Sequence, residues 1–181
     1  MTVVLAAAFL LAGPPRFLGP PEKKPADADA PAVGPGVAAP PFSTPTAKPD
    51  RSGVRQIDLP ALVGAVPKPA RTVLLSFFDA ACAACKSELA VLDALSARYQ
   101  AQGLLVISLA ADAGALLGAR QVSYPVVEDK DSVIARSYLG PKPSFPAAAI
   151  VGRDGRIVTV KQGYRDDPAV LLQAQVESAL R

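Results

Sequence analysis

The sequence predicts an α/β domain over residues 51–181, with a central mixed sheet flanked by helices. Two observations carry most of that expectation. Thr72–Phe78 and Leu104–Ala110 are almost unbroken apolar runs, as strands buried on both faces require. Between them Leu89, Leu92, Leu95 and Tyr99 recur at three- and four-residue steps, which makes one apolar stripe on a helix. Strand, helix and strand in that order form a βαβ unit, and its handedness makes the two strands parallel.

In chain order, residues 54–57 suit a short strand, followed by a Pro-punctuated loop to residue 70. The strand at 72–78 gives way to a helix over 83–102. Gly103 ends that helix, because glycine tolerates the left-handed conformation found at helix C-termini. After the second strand come a short helix at 114–121, a brief strand at 126–128 and a helix at 132–138. Residues 147–151 and 157–161 then flank Arg153-Asp154-Gly155, a hairpin turn signal. Pro168 opens a last helix at a position that tolerates proline, with Val170, Leu171, Ala174 and Val176 as its expected apolar side. No internal repeat is visible.

The first fifty residues are different. Residues 2–12 form an apolar run that Gly13, Pro14 and Pro15 stop. It matches the core of a signal peptide and falls short of the roughly 20 residues a bilayer span needs, although no Lys or Arg precedes it. Residues 1–13 are therefore expected to be a signal peptide or a short membrane anchor. Between Pro14 and Asp50 lie 11 of the 19 prolines, with few large apolar residues. Such composition buries too little surface to offset ordering entropy. Residues 14–50 are expected to be a Pro/Ala-rich disordered linker that holds the domain away from an export segment.

The sequence contains no His, which excludes Ser-His-Asp and Cys-His catalysis, haem attachment through C-x-x-C-H and the imidazole-dependent zinc and copper sites. Its net charge of +3 is mild and its basic residues are scattered, so no nucleic-acid footprint is present. The only two cysteines form Cys82-Ala83-Ala84-Cys85, where the first buried strand meets the helix. There Cys82 faces unpaired backbone N–H groups and the positive end of the helix dipole, and both favour the thiolate. Cys85, one turn on, can reach back to resolve a mixed disulfide. A structural disulfide remains open, though so short a loop stabilises a fold little. Soft-metal binding has neither a second Cys pair nor a His to support it.

The blocks VLLSFFDAACAACKSELAVLDAL (73–95), GLLVISLAAD (103–112), YPVVEDKDSVIARSYLG (124–140) and FPAAAIVGRDGRIVTVKQGY (145–164) resemble, in order and spacing, the TlpA/ResA-like branch of thioredoxin-fold proteins. These are thiol–disulfide oxidoreductases of the bacterial envelope. The resemblance implies a thioredoxin-like fold, with Cys82 as the attacking cysteine and Cys85 as the resolving one. It also implies a cis-proline at Pro146 beside the disulfide, although with Pro141 and Pro143 nearby Pro146 also reads as an ordinary trans loop proline. Glu88 falls where some members carry an active-site carboxylate that manages protons near the second thiol. Glu88 also reads as an acid complementing the helix dipole. Lys86 reads as a solvated helix residue, and Tyr164 as packing.

The sequence departs from that branch at several places. Ala81 stands where a Trp is common, Phe78 replaces another Trp, Ser76 stands where an acid or Asn is usual, and Ala90 replaces a frequent Pro. Asp79 lies close enough in sequence to oppose ionisation of Cys82. The expected function is that of an exported protein thiol–disulfide oxidoreductase without cofactor or metal, located in the periplasm or cell envelope. By the resemblance it acts as a reductant, with reduction of apocytochrome thiols in cytochrome c maturation as one role. Its expected partners are proteins with disulfides or thiols and an upstream membrane dithiol donor, and the chain is expected to be a monomer with a membrane tether as an option. Two rival readings are a thioredoxin-fold binding or scaffold module with a vestigial C-x-x-C, and a copper(I)-handling protein.

Overall fold

The computed structural model describes residues 31–47, 53–64, 71–79, 81–164 and 167–181. The expected export segment 1–13, residues 14–30 and 48–50 of the expected linker, and the loop at 65–70 lie outside the described residues. Among the described residues no helix is long and apolar enough to cross a membrane.

The domain is a thioredoxin-like α/β fold. Its five-stranded sheet has the order β5 (Val126–Glu128), β4 (Leu104–Ala110), β3 (Thr72–Phe78), β6 (Ala147–Val151), β7 (Ile157–Gln162). β3 pairs in parallel with β4, and β4 with β5, while β6 and β7 run antiparallel to their neighbours, so the sheet is mixed. β3 lies at the centre, and every one of its residues is buried. That explains its continuous apolar sequence: a strand covered on both faces has no solvent side on which to place polar residues.

One face is covered by α2 (Ala83–Tyr99), α3 (Ala113–Leu117) and α5 (Pro168–Leu180). The stripe read from the sequence holds there, since Leu89, Leu92, Leu95 and Tyr99 of α2 are all buried against β3 and β4. A single 3-10 turn, Gln100–Gln102, extends α2 to Gly103, whose φ of 97° ends it. The opposite face packs α4 (Val133–Leu139), α1 (Leu59–Leu62) and the short strand β2 (Gln56–Asp58) against Val73, Leu75 and Phe77 of β3. Ahead of α4, the buried Asp129 carboxylate accepts the backbone N–H groups of Ile134 and Ala135, at 2.9 and 2.8 Å, and so caps the helix across two left-handed residues.

The structure corrects several sequence expectations. Residues 31–47 are not a disordered linker. β1 (Ser43–Pro45) pairs with β2, Thr46 bridges Val127 of β5, and Ala38 bridges Arg156 just before β7. The backbone N–H groups of Gly36 and Ala39 also donate to Ile157 and Gly155. The segment is rich in proline but still places its free N–H groups on the sheet, and those bonds offset its ordering. The strand expected at 54–57 begins at Gln56, and the helix expected at 114–121 stops at Leu117 because Gly118 leaves the helical region. α5 buries Leu172 and Val176, whereas Val170 is 69% exposed and Ala174 also faces solvent. Five apolar residues between 170 and 176 leave its inward side ambiguous in sequence.

Candidate active site

The site begins where β3 ends. Asp79 makes the turn: its side chain accepts the Ala81 N–H at 2.8 Å, and its carbonyl accepts the Cys82 N–H at 3.1 Å. Cys82 is the N-cap of α2, and its Sγ accepts the Cys85 N–H at 3.1 Å. The first sulfur therefore sits against the unpaired donors of the helix start, as the spacing of the motif requires. Cys82 and Cys85 are joined in a disulfide. Cys82 is partly exposed, and Cys85 is fully buried in the core beneath it. The pair is thus asymmetric, with one sulfur presented to the surface and one held inside.

Glu88 lies on the same side of α2 as Cys85, three residues on, and has no exposed surface. It is not a first-turn acid complementing the helix dipole, since it sits in the second turn and is buried. Its two oxygens have separate partners. Ser76 Oγ of β3 donates to Oε1 at 2.8 Å, and Tyr164 Oη donates to Oε2 at 2.7 Å. Burial pushes its proton affinity above the ordinary carboxylate range, and the bonds from Tyr164 and Ser76 only partly oppose that, because neither partner is a cation. Tyr164 is also raised, first by burial and then by the neighbouring charge of Glu88.

Tyr164 follows β7, and its position depends on a turn. Gly163 has a φ of 57° and donates its N–H to the carbonyls of Ser144 and Pro146. A side chain there would meet Ser144 Cβ at 3.2 Å, so only glycine lets β7 close this tightly on the 144–146 loop. Within that loop the Phe145–Pro146 peptide bond is cis. The closure forms a groove of about 550 Å³, lined by Ala84, Ser87, Glu88, Phe145, Pro146 and Tyr164 among others.

Of the four residues proposed from sequence, Glu88 and Pro146 line this groove, while Cys82 and Cys85 stand at the start of the helix that carries Glu88. The structure adds two residues to which the sequence analysis gave no part in the site. Tyr164, read as packing, holds the carboxylate, and Ser76, read as a lost acid, is a hydrogen-bond donor to Glu88. No local signal could have paired Tyr164 with a residue 76 positions earlier. Lys86 is exposed, as expected of a solvated helix residue. No group of three or more candidate metal ligands occurs among the described residues.

A family model described as the AhpC/TSA family matches residues 35–160. No curated protein matches the sequence. Solved structures do match in fold. A candidate thiol:disulfide interchange protein DsbE from Chlorobium tepidum is 23% identical, with a TM-score of 0.69 over 82% of this chain and 99% of that one. A thioredoxin-family thiol:disulfide interchange protein from the same organism is 18% identical, with a TM-score of 0.62 over 82% and 99%. A secreted Mycobacterium tuberculosis disulfide oxidoreductase homologous to E. coli DsbE is 20% identical, with a TM-score of 0.58 over 76% and 95%.

Proposed function

Because the chain belongs to the AhpC/TSA family, we propose that it is a protein thiol–disulfide oxidoreductase working through Cys82 and Cys85. The observation that carries this reading is the asymmetric pair, with Cys82 accessible at the tip of α2 and Cys85 buried one turn before the buried Glu88. In the reductive direction the Cys82 thiolate attacks a substrate disulfide, and one substrate sulfur leaves. Cys85 then passes its proton to Glu88 and attacks Cys82, which releases the second substrate sulfur and closes the enzyme disulfide. Two electrons move from enzyme to substrate; the first substrate thiolate takes a proton from solvent, replacing the one Cys82 lost on ionising, and the Cys85 proton rests on Glu88, to be returned to the second. An extended substrate segment lies beside Pro146 in this reading, where the groove gives access to loop backbone.

Export to the cell envelope is part of the proposal. The apolar run at residues 2–12 supports it, as does the fold shared with a secreted disulfide oxidoreductase. A reducing role is proposed too, by resemblance to the TlpA/ResA-like branch, with apocytochrome thiols as one substrate class and a membrane dithiol donor upstream.

The test is dithiothreitol-driven insulin reduction. The wild type should accelerate insulin precipitation, Cys82→Ser should fall to background, and Cys85→Ser should accumulate a mixed disulfide with its substrate. A wild type at background, with a disulfide that dithiothreitol cannot open, would overturn the reading in favour of a scaffold.

A further inference from the structure

The mechanism above leaves a proton on a carboxyl group that has no exposed surface. In every cycle that proton must leave. Glu88 has two hydrogen-bond partners, and they differ in exposure. Ser76 belongs to β3, whose residues are all buried, and its hydroxyl also neighbours that of Tyr164. Tyr164 is partly exposed and lines the groove beside Pro146, and its hydroxyl is bonded to the carboxylate.

Resting on the oxidoreductase reading, we propose that Tyr164 is the relay between Glu88 and the groove, carrying the Cys85 proton out to the reduced substrate. The step balances. Protonated Glu88 gives its proton to Tyr164 Oη as the Oη proton passes to the leaving substrate thiolate, or to a groove water that protonates it. Tyrosine ends neutral, Glu88 returns to the carboxylate, and no further reagent is needed. A hydroxyl suits this task because it donates and accepts at once. The raised proton affinity of the half-buried Tyr164 also keeps the ring neutral throughout. The other titratable groups around Glu88 are Cys85 on its own helix and Tyr124, from the segment before β5. The Tyr124 hydroxyl is engaged with the Leu89 carbonyl at 3.4 Å, is buried, and does not line the groove. Glu88 itself borders the groove but exposes no surface there, so the partly exposed Tyr164 is the partner placed to pass its proton outward.

Ser76→Ala and Tyr164→Phe separate a relay from a residue that merely tunes Glu88. Each removes one hydrogen bond to the carboxylate, so the Glu88 carboxyl signal in carbon-13 NMR should titrate higher in both. Only Tyr164→Phe cuts the path. Its plateau rate of insulin reduction should lie about tenfold below that of Ser76→Ala, the scale of one charge-assisted hydrogen bond. Adding Tyr164→Phe to Glu88→Gln should cost nothing more. Equal plateaus for the two single variants, or additive losses in the double variant, would overturn the relay while leaving the oxidoreductase standing. Inactivity of the wild type would instead sink the oxidoreductase reading and the relay with it, and the NMR titrations would still show whether Tyr164 bonds Glu88.

Discussion

The two faces of the sheet are packed by different rules. Toward α4, β3 presents Val73, Leu75 and Phe77, and Phe77 meets Tyr138 with ring centroids 5.5 Å apart. The side chains packed around them there are mainly aliphatic and aromatic, and Tyr138 sends its hydroxyl away to the Pro40 carbonyl. Toward α2, β3 presents Leu74 and Phe78 with Ser76 between them. Ser76 aligns with Ser108 on β4 and Ala148 on β6, so a row of small side chains crosses the sheet beneath the active helix. That row supplies the space and the hydroxyl that let Glu88 enter the interior. A core can admit an ionisable group where its wall is low and hydrogen-bonding, and the opposite face of the same strand has neither property.

Phe77→Ala should break the dry face most severely. It should cost about 3–5 kcal/mol in denaturant unfolding, yet leave the pH dependence of insulin reduction unchanged. A changed profile would mean that the faces are not independent. Glu88→Gln should have a smaller effect with the opposite sign. Because burial raises the proton affinity of Glu88, the folded state holds a proton that the unfolded chain has already released. Stability from this group is complete below the ordinary value of 4.5 and declines as pH rises from there through the raised folded value. Glu88→Gln should therefore be at least as stable as the wild type at neutral pH, with the gap closing below pH 4.5. Parallel pH–stability curves for the two proteins would remove the buried charge from the description of this face. The smallest effect belongs to Val170→Ser, on the solvent side of α5, which should change unfolding free energy by less than about 0.5 kcal/mol. A larger loss would place Val170 inside.

The strands were legible because burial on both faces demands continuous apolar sequence, and β3, β4, β5 and β6 fall where their runs predict. The cysteine motif was legible because its chemistry is local to one turn of helix. What stayed hidden depends on distant partners. Tyr164 and Ser76 gain meaning only when β7 and β3 are brought beneath α2, and no composition or spacing reports that meeting. The 31–47 segment was misread for a related reason, since hydropathy does not register backbone groups that pair with a sheet. The inward side of α5 could not be chosen while apolar residues pointed several ways.

That N-terminal segment also borders the outer strands of the sheet. β5 and β7 are the outer strands of the sheet, and such rims invite sideways addition of another chain. Thr46 shields the first rim and Ala38 the start of the second, so one tether serves both. Trimming the chain to residue 51 to discard a supposedly idle leader would strip both guards at once, and crowding would then favour sideways polymers over free molecules.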